Sequence, residues 1–331
     1  MKATTYAHRK NNFKTLAILA LSAITFASCQ KNDDGDATPF SPPTAQQFKA
    51  IQNDALENIT QHFQFDAEDG TATFTSAKGV TITIPGNCLT LNGNPVTGTI
   101  DLEYAELFDR GTMTVTNKPT MARMPNGDMV LLVSGGEFYI NATKDGQQLA
   151  LTCNISLVIP GALTDGVENG MLLWTGVIGD DGELAWERKD NPNGQGGVNG
   201  EGNNYYASFG NFGWTNVDRF YSDPRPKTTI LVDVPAGFDN ENSSVYLSYD
   251  GEGSALARLD TFTAEGLFSE HYGQIPIGLA CHVIFVTEED GQFRYAIKAA
   301  TIVEDDVITF TLNETTTGSE AALVAAINAI Q

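Results

Sequence analysis

The sequence predicts a mostly β protein with two antiparallel β-sandwich-like domains, a short helix before the first and a closing helix after the second. Three observations carry this. Apolar residues alternate with polar ones at a period of two in many short runs, each ended by a turn-forming pair such as Pro-Gly, Asn-Gly or Asp-Gly. The helical period appears clearly only near residues 44–66 and at the end of the chain. A Gly/Asn-rich run at residues 190–204 separates the two sets of strand-like segments.

Residues 1–28 read as a lipoprotein signal peptide. Lys2, Arg9, Lys10 and Lys14 precede a short apolar run, 16–26, too short to stay in a bilayer as a helix. The tetrapeptide Phe26-Ala27-Ser28-Cys29 resembles a bacterial lipobox, with Phe26 in place of the usual leucine. The resemblance implies lipidation of Cys29 as the first residue of the mature chain. Lys31, Asp33 and Asp34, just beyond it, resemble the signal that sends Gram-negative lipoproteins to the outer face of the outer membrane.

Residues 29–43 form a flexible tether by composition, with Pro39, Pro42 and Pro43 and no core-forming pattern. An amphipathic helix follows over 44–66. Thr44 and Gln47 make a capping box, and Phe48, Ile51, Ala55, Ile59 and Phe63 form its stripe. The first β-sandwich domain is expected over 67–189. Val80, Ile82 and Ile84 form one inward face; Ile100, Leu102 and Tyr104 another; then come Phe138 and Ile140, and Ile155, Leu157 and Ile159. The stretches 171–178 and 183–188 read as a hairpin. Residues 190–204 are a linker or loop, and 205–226 a connecting segment rich in Trp, Arg and Tyr.

The second β-sandwich domain is expected over 227–331. Ile230, Val232 and Val234 alternate, as do Val245, Leu247 and Tyr249, and Asp290-Gly291 is a hairpin turn. Thr317 and Glu320 cap a final helix carrying Leu323, Ile327 and Ile330.

Charge narrows the partners. The net charge is −22, and removing the signal segment, with four bases and no acids, leaves about −26. Nucleic acid is excluded as a natural partner, because phosphate binding needs a basic stripe. Adsorption to anionic lipid is equally unfavourable, so membrane attachment rests on the acyl anchor. After Cys29 only Cys88, Cys153 and Cys281 remain. Cys153 falls inside the strand-like run 149–159, so three buried free thiols are expected in preference to a Cys88–Cys153 disulfide.

Further segments carry a family resemblance. Gly79–Pro85, Asn94–Ile100, Asn117-Lys118-Pro119-Thr120 and Ser134–Phe138 together resemble a β-sandwich domain of Gram-negative surface lipoproteins, loosely similar to the ZU5 fold of animal scaffold proteins. Phe212–Tyr221 is similar to a Gly-Trp-Ile-Asn-Cys-Asp-Arg-Phe signature of the same lipoproteins, with Thr215 and Val217 departing from it. Val217 replaces the cysteine, which argues against thiol chemistry there. The resemblance implies no reaction, and no binding residues carry over from ZU5.

Trp214, Asn216, Asp218, Arg219 and Tyr221 are the most site-like cluster, since aromatic faces beside amide, acid and guanidinium groups suit a sugar or a peptide. The alternative is structural, with Trp214 plugging the domain join. Acidic positions at Asp101, Glu103 and Glu106, at Asp239–Asn242 and at Asp180-Asp181 make Ca²⁺ the one cofactor the composition admits, though none has EF-hand spacing. His62, His271 and His282 stand in no catalytic motif, and HExxH, GxSxG and P-loop spacings are absent. The expectation is a non-catalytic, lipid-anchored cell-surface protein that binds a glycan, matrix or protein partner. The alternatives are a carbohydrate-active hydrolase using carboxylates, and a structural envelope component.

Overall fold

The computed structural model describes residues 40–179, 182–188, 196–270 and 273–331. The signal segment, Cys29, most of the tether, Asp180, Asp181, His271 and the first part of the Gly/Asn-rich run lie outside the described residues.

The first helix, α1 (Ala45–Ile59), starts at the expected capping box: the Gln47 N–H donates to Thr44 Oγ1 at 3.3 Å, and the Gln47 side chain accepts from the Thr44 N–H at 3.0 Å. It stops earlier than the stripe implied. Thr60 is extended, and Gln61–Asp66 is a strand whose Phe63 and Phe65 pair with Leu102 and Ile100. Phe63 satisfies both a helical spacing from Ile59 and a two-residue spacing to Phe65. The neighbouring Thr99–Leu107 strand decides for the sheet, because Phe63 and Phe65 both pack on Phe74.

A large sheet organises the first β region. Its strand order is Gln61–Asp66, Thr99–Leu107, Met129–Lys144, Gly213–Phe220, Leu172–Ile178, Leu184–Glu187 and Met121–Arg123. The last of these also pairs with the start of the long strand, Met121 opposite Leu131, so five strands close into a circuit through one parallel bridge, Ala122 opposite Trp186. A second, five-stranded sheet runs Gly197–Glu201, Asn204–Phe209, Ile155–Pro160, Thr81–Pro85 and Thr71–Thr75. The two sheets face each other across a sandwich core. Val80, Ile82, Ile84, Leu157, Ile159 and Tyr205 meet Ile100, Leu102, Tyr104, Phe138, Ile140 and Val217 there.

This sandwich absorbs segments that the sequence set aside as linker and connector. Gly197–Glu201 and Asn204–Phe209 are a hairpin in the second sheet, and Gly213–Phe220 is a central strand of the first. Composition misleads here because Gly200 stands where a Cβ would meet Val167 at 2.6 Å; a small residue is needed for packing, not for slack.

The second β region has a five-stranded sheet, ordered Ala257–Arg258, Ser243–Tyr249, Ala280–Glu289, Gln292–Thr301 and Thr316–Gly318. A four-stranded sheet contains Ile230–Asp233 parallel to Asp306–Thr309. Asp290 (φ 51°) and Gly291 (φ 77°) make the expected tight turn. The final helix, α3 (Glu320–Asn328), follows the short α2 (Arg110–Val115); its N-cap is Ser319, since Thr317 is taken up in the edge strand.

Residues 41–331 form one compact unit. The two β regions are not separate domains, because they share a core. Phe48 and Ala55 of α1, Trp174, Trp186 and Trp214 of the first region, Tyr246, Ile284 and Phe293 of the second, and Leu323 of α3 lie in one cluster. The stripe of α1 is therefore covered by both regions.

The cysteine expectation is corrected. Cys88 and Cys153 form a disulfide, with Cα atoms 5.5 Å apart, and among the described residues only Cys281 is a free, buried thiol. Cys153 does not sit within a strand. It lies in a bend between Ala150–Leu151 and Ile155–Pro160, and the pairing of Leu151 with Leu89 brings it beside Cys88. Burial pushes the Cys281 thiol up to about 12, so it is an inert core group.

Candidate functional site

The strand carrying the expected cluster is enclosed by neighbours on both edges, Met129–Lys144 and Leu172–Ile178. Trp214 is only 8% exposed. Its ring lies 5.3 Å from Tyr139 and 6.3 Å from Trp186, and the Lys118 ammonium stands 5.6 Å from the ring centre. It plugs the shared core. Asn216 and Asp218 are wholly buried, and a bulge between them brings their side chains together, Asn216 Nδ2 donating to Asp218 Oδ2. Arg219 points the other way, to Glu168. Tyr221 is half-buried; its hydroxyl meets Asp223 at 3.2 Å, and its ring stands edge-on to Tyr249 at 5.1 Å. The five residues are therefore not one surface. Three build the core, one holds a loop, and Tyr221 lines a cavity.

Glu137 is the partner of this strand that the sequence reading missed. It pairs across the sheet with Asn216 and is wholly buried, and neither of its carboxylate oxygens has a hydrogen-bond partner among the described residues. The nearby Trp186 indole N–H donates instead to the Pro119 carbonyl at 3.1 Å. Burial pushes the Glu137 carboxyl well above the usual range, and the neighbouring Asp218 adds to this. Burial also raises Asp218, while the nearby polar groups of Ser134, Asn216 and the Gly135 N–H oppose it. These acids are paired in space, yet both are enclosed by protein, so a sugar ring cannot enter between them as a glycosidase requires. The chain can approach so closely at this point because of Gly136 (φ +132°), where a Cβ would meet Phe108 and Phe138 at 2.6 Å.

The other acidic positions have local partners. Asp101 accepts from Gln64 and Glu103 from Asn141, on the outer face of their strand. Glu106 does not join them: strand parity puts it with Tyr104, where it accepts from the Tyr104 hydroxyl at 3.0 Å and from Ser76 at 2.8 Å. Asp239 Oδ1 accepts from the N–H groups of Glu241 and Asn242, an Asx turn. Among the described residues no three His, Cys, Asp or Glu side chains converge to hold a metal. His62 lies on a strand 3.6 Å from Glu57, and His282 Nδ1 meets Asp250 at 2.8 Å.

Two cavities lie beside this buried core. The smaller, about 220 Å³, is lined by Tyr221, Tyr249, Met121, Met129, Asp223 and Glu270. The larger, about 490 Å³, opens between α1 and the second β region. Phe48, Lys49, Gln52 and Asn53 of α1 form one wall, and Thr116–Pro119 the floor. Gly182–Ala185, Asn240, Glu241, Ser244 and Arg258–Asp260 line the rest with Met121, Arg123 and Met129. The floor is fixed by Asn117 (φ 52°), whose side chain accepts from Tyr246 and donates to Glu183. Arg258 pairs with the same Glu183 and lies between the two cavities, lining both. Sequence reading could not assemble this cleft, because its polar groups come from five stretches spread over more than two hundred residues. The one local signal was Asn117-Lys118-Pro119.

No family model matches the chain, and no curated protein is significantly similar to it.

Proposed function

We propose that this chain is an exported, lipid-anchored, non-catalytic binding protein displayed at the outer membrane through Cys29, with a glycan as its ligand. The observation that carries the binding reading is the cleft of about 490 Å³, walled by amide, hydroxyl and charged side chains from separate elements. Its volume falls in the range of small-ligand sites, about 300–1,000 Å³. Amide side chains such as Gln52, Asn53 and Asn240 both donate and accept, as hydroxyl-rich ligands require. The Cys88–Cys153 disulfide supports export, since such bonds persist in oxidising compartments. The signal segment, the Cys29 lipobox and the resemblance to surface lipoproteins point the same way.

The test is a glycan array probed with the full-length protein and with Asn53→Trp, which fills the cleft from an exposed position on α1. The reading expects a defined set of retained glycans that Asn53→Trp loses. Retention of the same set by the variant, or release of cleaved products from the array, would refute it.

A further inference from the structure

We infer that the cleft between α1 and the second β region selects acidic saccharides, holding a sugar carboxylate between Lys49 and Lys118. This rests on the cleft being the ligand site. Acids outnumber bases in the chain by 41 to 19. Among the described residues the cleft reverses this balance: Lys49, Lys118, Arg123 and Arg258 line it against Glu183, Glu241 and Asp260, while Asp180 and Asp181 beside Gly182 lie outside the described residues. Two of the four cations are already matched, Arg258 with Glu183 and Arg123 with Glu187 at 3.3 Å.

The other two have no carboxylate within ion-pair distance among the described residues. The Lys118 ammonium donates to the carbonyls of Thr116 at 3.1 Å and Asn117 at 3.4 Å. An ammonium has three donors, so one has no protein acceptor among the described residues. Lys118 is also partly desolvated against Trp214, and burial lowers its proton affinity more than Glu183 and Glu137 restore it. A cation so placed gains from an incoming anion, because Glu183 and Glu137 offset only part of its desolvation. Lys49 is exposed on α1 and leans toward Gly182, 3.4 Å from where a Cβ there would stand. Its ammonium offers a second, solvent-side contact.

Glu241 stands exposed on the Asn240–Ser244 side and disfavours a second anionic group there. The ligand class is thus one carboxylate on a hydroxylated ring, as in a uronic acid.

The experiment is calorimetric titration of detergent-solubilised full-length protein with an acidic trimer (a galactose trisaccharide in which one residue is replaced by galacturonic acid), the neutral galactose trimer, and inorganic sulfate. Lys49→Gln and Lys118→Gln are titrated alongside, with Lys49→Gln safe for folding because its side chain is exposed. The acidic trimer is expected to bind at least about tenfold more tightly than the neutral one, as a charge-assisted hydrogen bond implies. Each variant should reduce that preference. Equal affinity for both trimers overturns the charge assignment and leaves the glycan-binding reading intact. Sulfate binding as tightly as the acidic trimer overturns the saccharide part. Binding of neither trimer overturns the inference, and the array then decides the fate of the broader reading.

Discussion

Replacing Trp214 with alanine removes the ring on which the two β regions and Lys118 converge. An aromatic side chain of this size buries about 150–250 Å². At about 25 cal/mol per Å² that is worth ~4–6 kcal/mol. The retained methyl group and partial collapse around the cavity bring the expected loss to about 3–5 kcal/mol, the usual range for such truncations. A tilted contact with Tyr139, an edge contact with Trp186, and the Lys118 ammonium over the ring place the change toward the upper end. Urea unfolding with the disulfide intact reads the loss directly. A displaced transition of unchanged slope supports the plug. A loss below about 1 kcal/mol, the size of a surface substitution, would refute the shared-core account.

Other perturbations follow from the same geometry. Gly176→Ala puts a Cβ 2.4 Å from Trp214 Cβ and 2.8 Å from Leu184, so a loss of about 1–3 kcal/mol is expected by the same urea assay. Cutting the Cys88–Cys153 bond by the double alanine change frees a loop with a sequence separation of 65; about 2–4 kcal/mol should be lost, and reductant should do the same to the native chain. For Glu137 and Asp218 the folded-state affinity for a proton is raised, so stability is fully present below the ordinary carboxylate value near 4. It is lost as pH rises above that value, because the unfolded chain ionises first, at up to ~1.4 kcal/mol per pH unit for each group. Glu137→Gln should therefore gain on the native protein between pH 4 and pH 8, and a gap that stays constant in pH-dependent unfolding would contradict this. Cys29→Ala should release the protein from membranes, and intact mass of the membrane form should show acyl groups on Cys29.

Local patterning made the β framework legible. Ile82, Ile84, Ile100, Leu102, Phe138, Ile140, Leu157 and Ile159 all face the sandwich core, as their alternation required. The capping box of α1 and the Asp290-Gly291 turn are equally local and equally readable. Three features were not legible, each for a physical reason. Phe63 fits two periods, and only pairing with Leu102 chooses the strand. The glycines of the 197–204 stretch look like slack, while Gly200 is required by Val167. Cys153 is positioned by pairings to residues some sixty positions away. The site was least legible. Trp214, Asn216 and Asp218 resemble ligand contacts because buried polar networks use the same residue types as binding sites, and only burial separates the two. Lys49, Asn117, Ser244 and Arg258 meet through tertiary structure alone.

The most direct test of the central claim is hydrogen–deuterium exchange of the full-length protein with and without a glycan retained on the array. Protection of α1, residues 116–119 and residues 240–244, with any further protection at the other cleft-lining stretches 182–185 and 258–260, is the predicted result. Protection limited to segments away from the cleft, with these three unchanged, would contradict it.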